Sequence, residues 1–438
     1  MLRPLRQTIG PAATAPVSEH FRPPAEWGRV DLGYRMRVRS LSLENFRNYA
    51  RLEVEWPDRP VLLVGGNAQG KTTVLEALHY LATGRSPLTA VDRQLINWTA
   101  AREGLAYTYL RAEVVQATRV LEIAVALSLT ANSNGNVRLQ KSVRVDRRPR
   151  RQRDLAGCLN VVLFLPQDID LVAGSPAGRR DYLDATLSQV DATYAAALDT
   201  YTETLRQRNA LLRHLAEEGG DLAQLDPLDE RLARSGVVVA QGRRRRVAEL
   251  SRHVGPLHAE LTGGREWLRL EYQPNFDPAR PPALTYQMSL ALEEPGGPPS
   301  GVSMDDLERA FLQRLRQRRR EEIERRMTLT GPHRDEMRFI AGDVDLGTFG
   351  SRGQQRTAVL ALKMAQLAWM QETTGEAPVL LLDEVLAELD GQRRAFLLAQ
   401  VDRVEQAILT ATDPEMFSPT FRQRAALFRV EGGILRPY

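Results

Sequence analysis

The sequence has almost no cysteine and no long apolar run, and each absence excludes a class of protein. The single cysteine, Cys158, excludes an internal disulfide, and its neighbours Leu155 and Leu159 predict a small core side chain rather than a nucleophile. No segment approaches the roughly 20 consecutive apolar residues of a transmembrane helix. We therefore expect a protein of a reducing, cytoplasmic compartment that has no membrane span and no membrane partner.

Lysine is also scarce. Of the 59 lysine and arginine residues, only Lys71, Lys141 and Lys363 are lysine. The net charge of +4 permits a nucleic-acid partner without requiring one. The first of three arginine-rich runs is the best candidate for DNA contacts, because few acids balance it and Pro149 predicts a loop. The third predicts a solvated helix face equally well, because glutamates follow it. The runs lie at residues 147–153, 243–246 and 314–320.

Composition divides the 438 residues into four segments, enough for two or three domains. The first is rich in proline and arginine and lacks apolar periodicity, so we expect it to be disordered or not native, with Met36 as the native start. A stretch rich in proline and glycine at 274–301 predicts a mobile loop. The segments are an N-terminal extension (1–35), half of a sheet domain (36–165), a mainly helical region (166–326) and the second half of the sheet domain (327–438).

Apolar periodicity predicts the elements within these segments. Alternating apolar residues at 38–46 indicate a first strand, and helical spacing dominates residues 175–261. Strand character returns at Met327, and the run at 132–136 predicts a hairpin turn. Further strands are predicted at 107–115, 120–129 and 137–145, and further helices at 304–326 and 356–371.

A phosphate-binding loop is the most informative motif of the sequence. It follows an apolar run at 61–64 and precedes helical spacing at 73–81. Glycines let the backbone wrap an anion closely, and the N–H groups of a helix N-terminus add positive dipole. Lys71 is expected to reach the β- and γ-phosphates of ATP as a catalytic group, and the Thr72 hydroxyl to ligate Mg²⁺. The loop comprises Gly65, Gly66, Asn67, Ala68, Gln69, Gly70, Lys71 and Thr72.

An apolar run that ends in two carboxylates predicts the second half of an ATP site. Residues 379–382 suit a buried strand, and Asp383 and Glu384 follow it. At the carboxyl end of this strand, Asp383 is placed to hold Mg²⁺, usually through water, and Glu384 to act as general base toward the attacking water. An apolar run that ends in Asp-Glu is weak evidence for an ATP site by itself. It becomes informative because a phosphate loop precedes it by about 310 residues.

A third motif, Ser-Arg-Gly-Gln-Gln at residues 351–355, stands between the other two. Ser351 suits a helix N-cap, and Gly353 allows a close backbone approach. A capped surface helix explains the serine but not the order of three motifs. The segment resembles the signature of ABC-type ATPases, which implies that Ser351, Gly353 and Gln354 contact the γ-phosphate of a nucleotide on a partner subunit. Asp390, which follows Glu384, is similar to a D-loop aspartate and is implied at the dimer interface.

Four further segments make the sequence resemble the RecF family, within the SMC/Rad50-like group of ABC ATPases. The resemblance covers residues 36–438 and implies an α/β fold, in which an ABC-type P-loop ATPase head (lobe I, 36–165 and 327–438) carries an inserted, mainly helical lobe II (166–326). The segments lie at 43–49, 164–176, 329–336 and 380–390.

The resemblance also implies contacts for residues that the motifs leave out. Arg47 is implied as a phosphate contact near the loop, and Gln167 as the Q-loop glutamine that senses Mg²⁺. Arg179 and Arg180 either contact DNA or cap a helix. Transporter ATPases place a switch histidine after the next strand, where this chain has only Thr and Asp, so we expect a weak, regulatory ATPase. His333 lies beside proline and arginine and is interpreted as structural.

The function implied by the resemblance is that of an ATP-dependent recombination mediator. With ATP and Mg²⁺ the chain is expected to form a homodimer and to bind gapped duplex DNA or a single-strand/double-strand junction. It is then expected to help RecO and RecR load RecA in DNA repair, replication restart and SOS induction. Two alternatives stay open, an ABC-type ATPase subunit of another system and a nucleotide-dependent scaffold that acts on a protein partner without DNA.

Overall fold

The computed structural model of the chain describes residues in three ranges, 36–131, 137–277 and 303–438. The predicted extension at 1–35 and the predicted hairpin turn at 132–136 lie outside the described residues. So does the predicted mobile loop at 274–301, except for its first four residues. Within the described ranges, no helix is long and apolar enough to cross a bilayer.

Strands and helices are mixed along the chain, which gives an α/β fold. The strands are β1 (Arg37–Phe46), β2 (Tyr49–Glu55), β3 (Val61–Val64), β4 (Tyr107–Val115), β5 (Val120–Ala131), β6 (Val137–Val145), β7 (Arg148–Arg150), β8 (Val161–Phe164), β9 (Leu268–Gln273), β10 (Glu336–Ala341), β11 (Val344–Asp345), β12 (Val379–Asp383), β13 (Ala407–Ala411), β14 (Ala426–Glu431) and β15 (Ile434–Pro437). The helices are α1 (Lys71–Thr83), α2 (Trp98–Arg102), α3 (Asp170–Ala173), α4 (Pro176–Val190), α5 (Ala192–Glu218), α6 (Asp226–Leu261), α7 (Met304–Glu324), α8 (Leu346–Phe349), α9 (Arg352–Thr374), α10 (Gly391–Val401) and α11 (Pro419–Arg424).

One six-stranded sheet has the order β2-β1-β4-β5-β6-β7 and is antiparallel throughout. It confirms the strands predicted at 38–46, 107–115, 120–129 and 137–145. In β4, Leu110, Ala112 and Val114 are buried on one face, because successive side chains of a strand point to opposite faces. The short strand β7 is the edge of this sheet.

The second six-stranded sheet positions the functional site. Its order is β15-β14-β3-β13-β12-β8, and only β15 pairs antiparallel. The apolar runs of β3 and β12 are buried throughout, as strands covered on both faces require. Asp383 pairs with Thr410, and Ala411 pairs with Val64. The register therefore brings the carboxyl ends of β3, β13 and β12 to one edge, which is where ligands bind in parallel sheets.

Two hydrophobic cores lie against this parallel sheet, one on each face. Leu62 and Leu380 belong to the core shared with the helices, whereas Leu63 and Leu381 belong to the core shared with the antiparallel sheet. Cys158 is buried in the second core, as predicted, and its burial raises the pKa of the thiol. Successive side chains of each parallel strand therefore point into opposite cores, so the parallel sheet packs between the antiparallel sheet and the helices.

Helices α4 to α7 confirm the helical character predicted for residues 166–326. A three-stranded sheet, β11-β10-β9, pairs β9 from this region with β10 from the segment that follows. Since this sheet crosses the predicted boundary at 326/327, the division into lobes stays a prediction.

Several predicted element boundaries differ from the structure. The helix predicted at 356–371 begins earlier, at Arg352, because Ser351 and Gln354 form a reciprocal capping box at its start. The strand predicted from Met327 begins only at Glu336, since the backbone first makes a short 3-10 helix at Pro332–Arg334.

Candidate nucleotide site

The predicted phosphate loop connects β3 to α1, and Gly70 is the residue before the helix. Gly70 has a left-handed φ of 114°, which glycine adopts without strain. A Cβ on Gly65 would lie 2.2 Å from the carbonyl oxygen of Val430 on β14. The left-handed backbone therefore requires Gly70, and the close approach of β14 requires Gly65.

Lys71 is buried and its ammonium folds back over the loop. Nζ donates to the carbonyl oxygens of Gly65 and Gly66 at 2.7 and 2.8 Å. It also lies 2.9 Å from Oε1 of Glu384. Three partners use all three donors of the ammonium. An incoming phosphate oxygen would therefore compete with Glu384, because the other two partners are backbone carbonyl groups.

Asp383, at the end of β12, forms hydrogen bonds with hydroxyl groups from two other elements. The Thr72 hydroxyl lies 2.9 Å from both carboxylate oxygens, and the Thr410 hydroxyl on β13 donates to Oδ1 at 2.8 Å. Burial raises the pKa of Asp383, while the two hydroxyl groups and Lys71 act in the opposite direction. Thr410 was not predicted as a site residue, although a polar residue within the apolar strand β13 is a signal of such a role.

The oxygen atoms of Thr72 and Asp383 are suitable ligands for Mg²⁺. This ion prefers oxygen and commonly takes one or two protein ligands, with water and substrate phosphates completing its shell. Among the described residues, no group of three or more His, Cys, Asp or Glu side chains is placed to hold a metal. The donor set therefore fits an ion bound together with a nucleotide better than a permanent structural metal.

Glu384 has a left-handed backbone with φ of 49°, although it is not a glycine. Its N–H donates to the Thr410 hydroxyl at 3.0 Å, which holds this conformation. Non-glycine residues in this region carry strain and occur often at functional sites. The turn directs the carboxylate to the rim of the site, where it is one-third exposed and meets Lys71.

The turn between β1 and β2 supports the phosphate loop from the antiparallel sheet. Asn48 Nδ2 donates to the carbonyl oxygen of Gln69 at 3.0 Å, and Tyr49 OH donates to that of Gly70 at 3.2 Å. Arg47 forms a bidentate pair with the buried Glu76 of α1, at 2.6 and 2.9 Å. Arg47 thus lies in the site, as predicted, and its contact with phosphate stays a prediction.

The cleft at this sheet edge has a volume of about 740 Å³, within the usual size of small-molecule sites, and of the predicted phosphate loop only Gly65 and Gly66 do not line it. One wall carries the loop and the acidic pair, and the other consists of the β1–β2 turn and the segment before and within α2. The sequence motifs did not indicate this second wall, except for Arg47. The lining residues are Arg47, Asn48, Asn67, Ala68, Gln69, Gly70, Lys71, Thr72, Thr73, Gln94, Ile96, Asn97, Trp98, Thr99, Asp383 and Glu384.

The predicted signature residues lie outside this cleft. Ser351 caps α9 and is exposed together with Gly353, and Gln354 Nε2 donates to Glu266 at 2.9 Å. Asp390 caps α10 by accepting from the N–H of Arg393 at 3.0 Å. Within one chain, these residues do not complete the nucleotide site, and their predicted roles require a second copy.

Gln167 also does not line the cleft. It is exposed on a short 3-10 helix just after β8. Since β8 pairs in parallel with β12, Gln167 emerges at the same sheet edge as Asp383. Its role as a Mg²⁺ sensor stays a prediction.

The arginine run at 243–246, the second of the three candidate DNA contacts, is paired with acids along its whole length and only Arg245 is exposed, so the structure does not favour it as a phosphate-binding patch. Arg243 is buried, and its guanidinium lies 2.9 Å from Asp184 and 3.4 Å from Asp335. Its neighbours are engaged by acids in the same way, Arg244 with Asp277, Arg245 with Glu249, and Arg246 with Glu249 and Asp191. Whether these arginines contact DNA or pair with acids depends on which helix face is buried, and the sequence of the run does not show this.

The other two arginine-rich runs differ from each other in whether their side chains pair with acids. In the run at 314–320, Arg316 and Arg319 pair with Asp226, and Arg318 pairs with Glu321, which favours the interpretation as a charged helix face. The run at 147–153 was predicted as a loop, but residues 148–150 form the edge strand β7, which pairs with β6; residues 147–151 are exposed. It remains the candidate DNA contact.

Two basic side chains near the β9–β10 sheet are structural. Arg179 pairs with Glu336 at 2.6 Å and donates to the carbonyl oxygen of Gly174 at 2.8 Å, so it caps the end of α3. His333 is held between Tyr201 OH at 2.6 Å and the carbonyl oxygen of Thr328 at 3.0 Å. Burial lowers the pKa of His333 to about 4, so the ring is neutral at physiological pH.

The class of protein follows from this geometry. A phosphate loop and an acidic strand end meet at one edge of a parallel sheet, an antiparallel sheet covers one face, and helices cover the other. This is the ATPase head of the ABC type. The sequence agrees, because residues 37–435 match the RecF/RecN/SMC N-terminal domain family.

Within this class, the chain belongs to the RecF family of DNA replication and repair proteins. It is 41% identical over 412 residues to RecF of Roseiflexus castenholzii, covering 92% of this chain and 100% of the relative. RecF of Chloroflexus aggregans is 42% identical over 409 residues, covering 91% and 99%. A solved structure of the recombination mediator RecF with ATP, from the RecFOR pathway, has 28% identity and a TM-score of 0.77, covering 94% of this chain and 100% of that one.

Proposed function

We propose that the chain binds ATP with Mg²⁺ and hydrolyses it slowly. The convergence of Lys71, Thr72, Asp383 and Glu384 in one cleft carries this proposal. Lys71 and the loop N–H groups would hold the phosphates, and Thr72 and Asp383 would hold the ion. ATP is also the ligand of the solved RecF relative.

In the hydrolytic step, Glu384 would accept a proton from the attacking water. The water oxygen bonds to the γ-phosphorus, the bond from this phosphorus to the bridging oxygen breaks, and ADP and inorganic phosphate result. The structure contains no histidine in the strand β13 or the turn after it, where transporter ATPases carry their switch residue. This supports a slow, regulatory rate.

We further propose that two copies close around ATP. The exposed positions of Ser351 and Asp390, outside the cleft of their own chain, support a site that a second copy completes. ATP stabilises a dimer only if it binds the closed state more tightly than the open monomer. Hydrolysis removes the γ-phosphate and with it this difference, so the dimer would then open.

The closed dimer would bind gapped duplex DNA or a single-strand/double-strand junction. The exposed arginines at the β7 edge support this, since guanidinium groups bind phosphates well. Membership of the RecF family and the solved relative in the RecFOR pathway support a mediator that helps RecO and RecR load RecA, in repair, replication restart and SOS induction.

The test is equilibrium binding to gapped duplex DNA with Mg-ATP, with Mg-ADP and without nucleotide, at two salt concentrations. Binding that is tighter with ATP than with ADP and that weakens with salt supports the DNA clamp. Equal or absent binding under all three conditions favours the alternative, a nucleotide-dependent scaffold for a protein partner.

A further inference from the structure

Trp98 is the largest side chain on the second wall of the nucleotide cleft, and 68% of it is exposed. Among the described residues, most large apolar side chains are buried in the two cores. An exposed indole inside a ligand cleft presents a flat surface to whatever binds there. None of the phosphate-site motifs includes this residue.

The indole of Trp98 is oriented by a neighbour in α2. The guanidinium carbon of Arg102, four residues later, lies 4.5 Å from the ring centroid. This is the geometry of a cation–π contact between i and i+4 positions of a helix. Since most of the residue stays exposed, the contact orients the ring and leaves much of its surface accessible.

The backbone of Trp98 is attached to the β1–β2 turn. Asn97 Nδ2 donates to the carbonyl oxygen of Arg47 at 2.7 Å, and the N–H of Arg47 donates to that of Leu95 at 2.8 Å. The side-chain oxygen of Asn97 also caps α2 by accepting from Ala100 N at 2.9 Å. Trp98 therefore begins a helix that is held to the same turn as Arg47.

The β1–β2 turn also forms hydrogen bonds with the phosphate-binding elements. Asn48 bonds to the loop, and Arg47 bonds to α1. These hydrogen bonds fix the position of the backbone segment that carries Trp98 relative to the loop. The two walls differ in chemistry. The first has Lys71 and Asp383 for phosphate and metal, whereas the second adds the exposed aromatic ring of Trp98 to a set of mainly polar side chains. A molecule with an anionic end and a flat aromatic end matches both.

We propose that Trp98 stacks on the nucleobase of the bound nucleotide and thereby positions its phosphates on the loop. This inference rests on the proposed ATP site and adds a base-binding residue to it. Base–aromatic stacking is typically worth enough to change affinity by tenfold or more when the ring is removed. A stacking residue acts on ATP but not on a phosphate chain without a base.

The experiment compares the affinities of ATP and of inorganic tripolyphosphate, each with Mg²⁺, by titration calorimetry. Trp98→Ala should weaken ATP binding about tenfold and leave tripolyphosphate unchanged, and Trp98→Phe should retain most of the ATP affinity. Trp267→Ala is the matched control, because Trp267 is also exposed, at 58%, and does not line the cleft. In addition, ATP should change tryptophan emission less in Trp98→Phe than in the unaltered protein.

Unchanged ATP affinity in Trp98→Ala would overturn the stacking role and leave the ATP site intact. An equal loss for ATP and tripolyphosphate would also overturn it, since the tryptophan would then act only on the phosphate end. Failure of the unaltered protein to bind either ligand would instead contradict the proposed nucleotide site itself.

Discussion

Lys71 Nζ and Glu384 Oε1 lie 2.9 Å apart and form an ion pair across the phosphate site. The predicted phosphate ligand and the predicted general base therefore hold each other. A phosphate oxygen that binds Lys71 weakens this pair, because an ammonium has only three donors and two are used by the loop carbonyls. We therefore predict that binding of the γ-phosphate releases Glu384 from Lys71 and lets it accept a proton from water.

Removal of the ammonium should abolish nucleotide-dependent assembly. Lys71→Ala is expected to lose ATP binding at concentrations that saturate the unaltered protein and to stay monomeric with ATP in analytical ultracentrifugation. Lys71→Arg should not restore binding, because the planar guanidinium is too broad for the loop. Dimerisation by ATP in Lys71→Ala would contradict the role of this residue.

Glu384→Gln should separate ATP binding from hydrolysis. An amide cannot accept the proton of the attacking water, so single-turnover hydrolysis should fall about 100-fold or more. The variant should accumulate as an ATP-bound dimer. Glu388→Gln is a suitable control, since Glu388 follows on the same segment and pairs with Arg356 at 3.2 Å outside the cleft. Equal hydrolysis rates in the two variants would exclude Glu384 as the base.

Ser351 tests whether the site is shared between two copies. Ser351→Ala removes a helix cap, which costs about 1 kcal/mol, and is expected also to reduce ATP hydrolysis at least tenfold. Ser303 caps α7 in the same way, so Ser303→Ala should match the loss of stability and leave hydrolysis unchanged. If the two variants lose activity equally, the effect is one of stability.

A mixing experiment extends this test. Lys71→Ala and Ser351→Arg should each be inactive alone. In a mixed dimer, one of the two sites combines an intact Lys71 with an intact Ser351, so ATP hydrolysis should partly recover. No recovery, in mixtures shown by ultracentrifugation to contain dimers, would contradict the shared site.

The arginines at the β7 edge should supply phosphate contacts. A triple variant, Arg148→Ala, Arg150→Ala and Arg151→Ala, should weaken binding to gapped DNA for every sequence and lower the salt dependence by about three phosphate contacts. The control removes three arginines of α7, at positions 309, 314 and 320. Equal losses in both triple variants would indicate non-specific charge rather than a contact surface.

Arg243 should matter for stability rather than for DNA. Arg243→Met leaves Asp184 and Asp335 buried without their cation, so the free energy of unfolding should fall by about 3–5 kcal/mol. Arg245 is exposed and pairs with Glu249 on the same helix face. Arg245→Ala should therefore change the free energy of unfolding by less than about 0.5 kcal/mol. Urea denaturation measures both. Similar stabilities would contradict the structural role of Arg243.

Residues close together in the sequence were predicted well. The phosphate loop needs glycine at Gly70 for its left-handed backbone and an ammonium at Lys71, and these requirements fall on adjacent residues. The acidic strand end at Asp383 was found for the same reason, since an apolar run has to be covered on both faces. Local chemistry of this kind appears in the sequence because neighbours along the chain are also neighbours in space.

Features made by distant residues were not predicted. Thr410 reaches Asp383 only because β13 pairs with β12. Arg243 looks like part of a basic run, but helix packing places it against Asp184. The second wall of the cleft, with Trp98, exists because the β1–β2 turn and α2 meet above the phosphate loop.

The sequence by itself determined the α/β class, the phosphate loop and the acidic pair, because strand burial, helix periodicity and phosphate binding impose patterns on consecutive residues. The tertiary structure decided which arginines are exposed, which hydroxyl groups meet Asp383, and that Ser351 and Asp390 lie outside the cleft of their own chain. Burial and register depend on residues far apart in sequence, and only the folded chain brings these together.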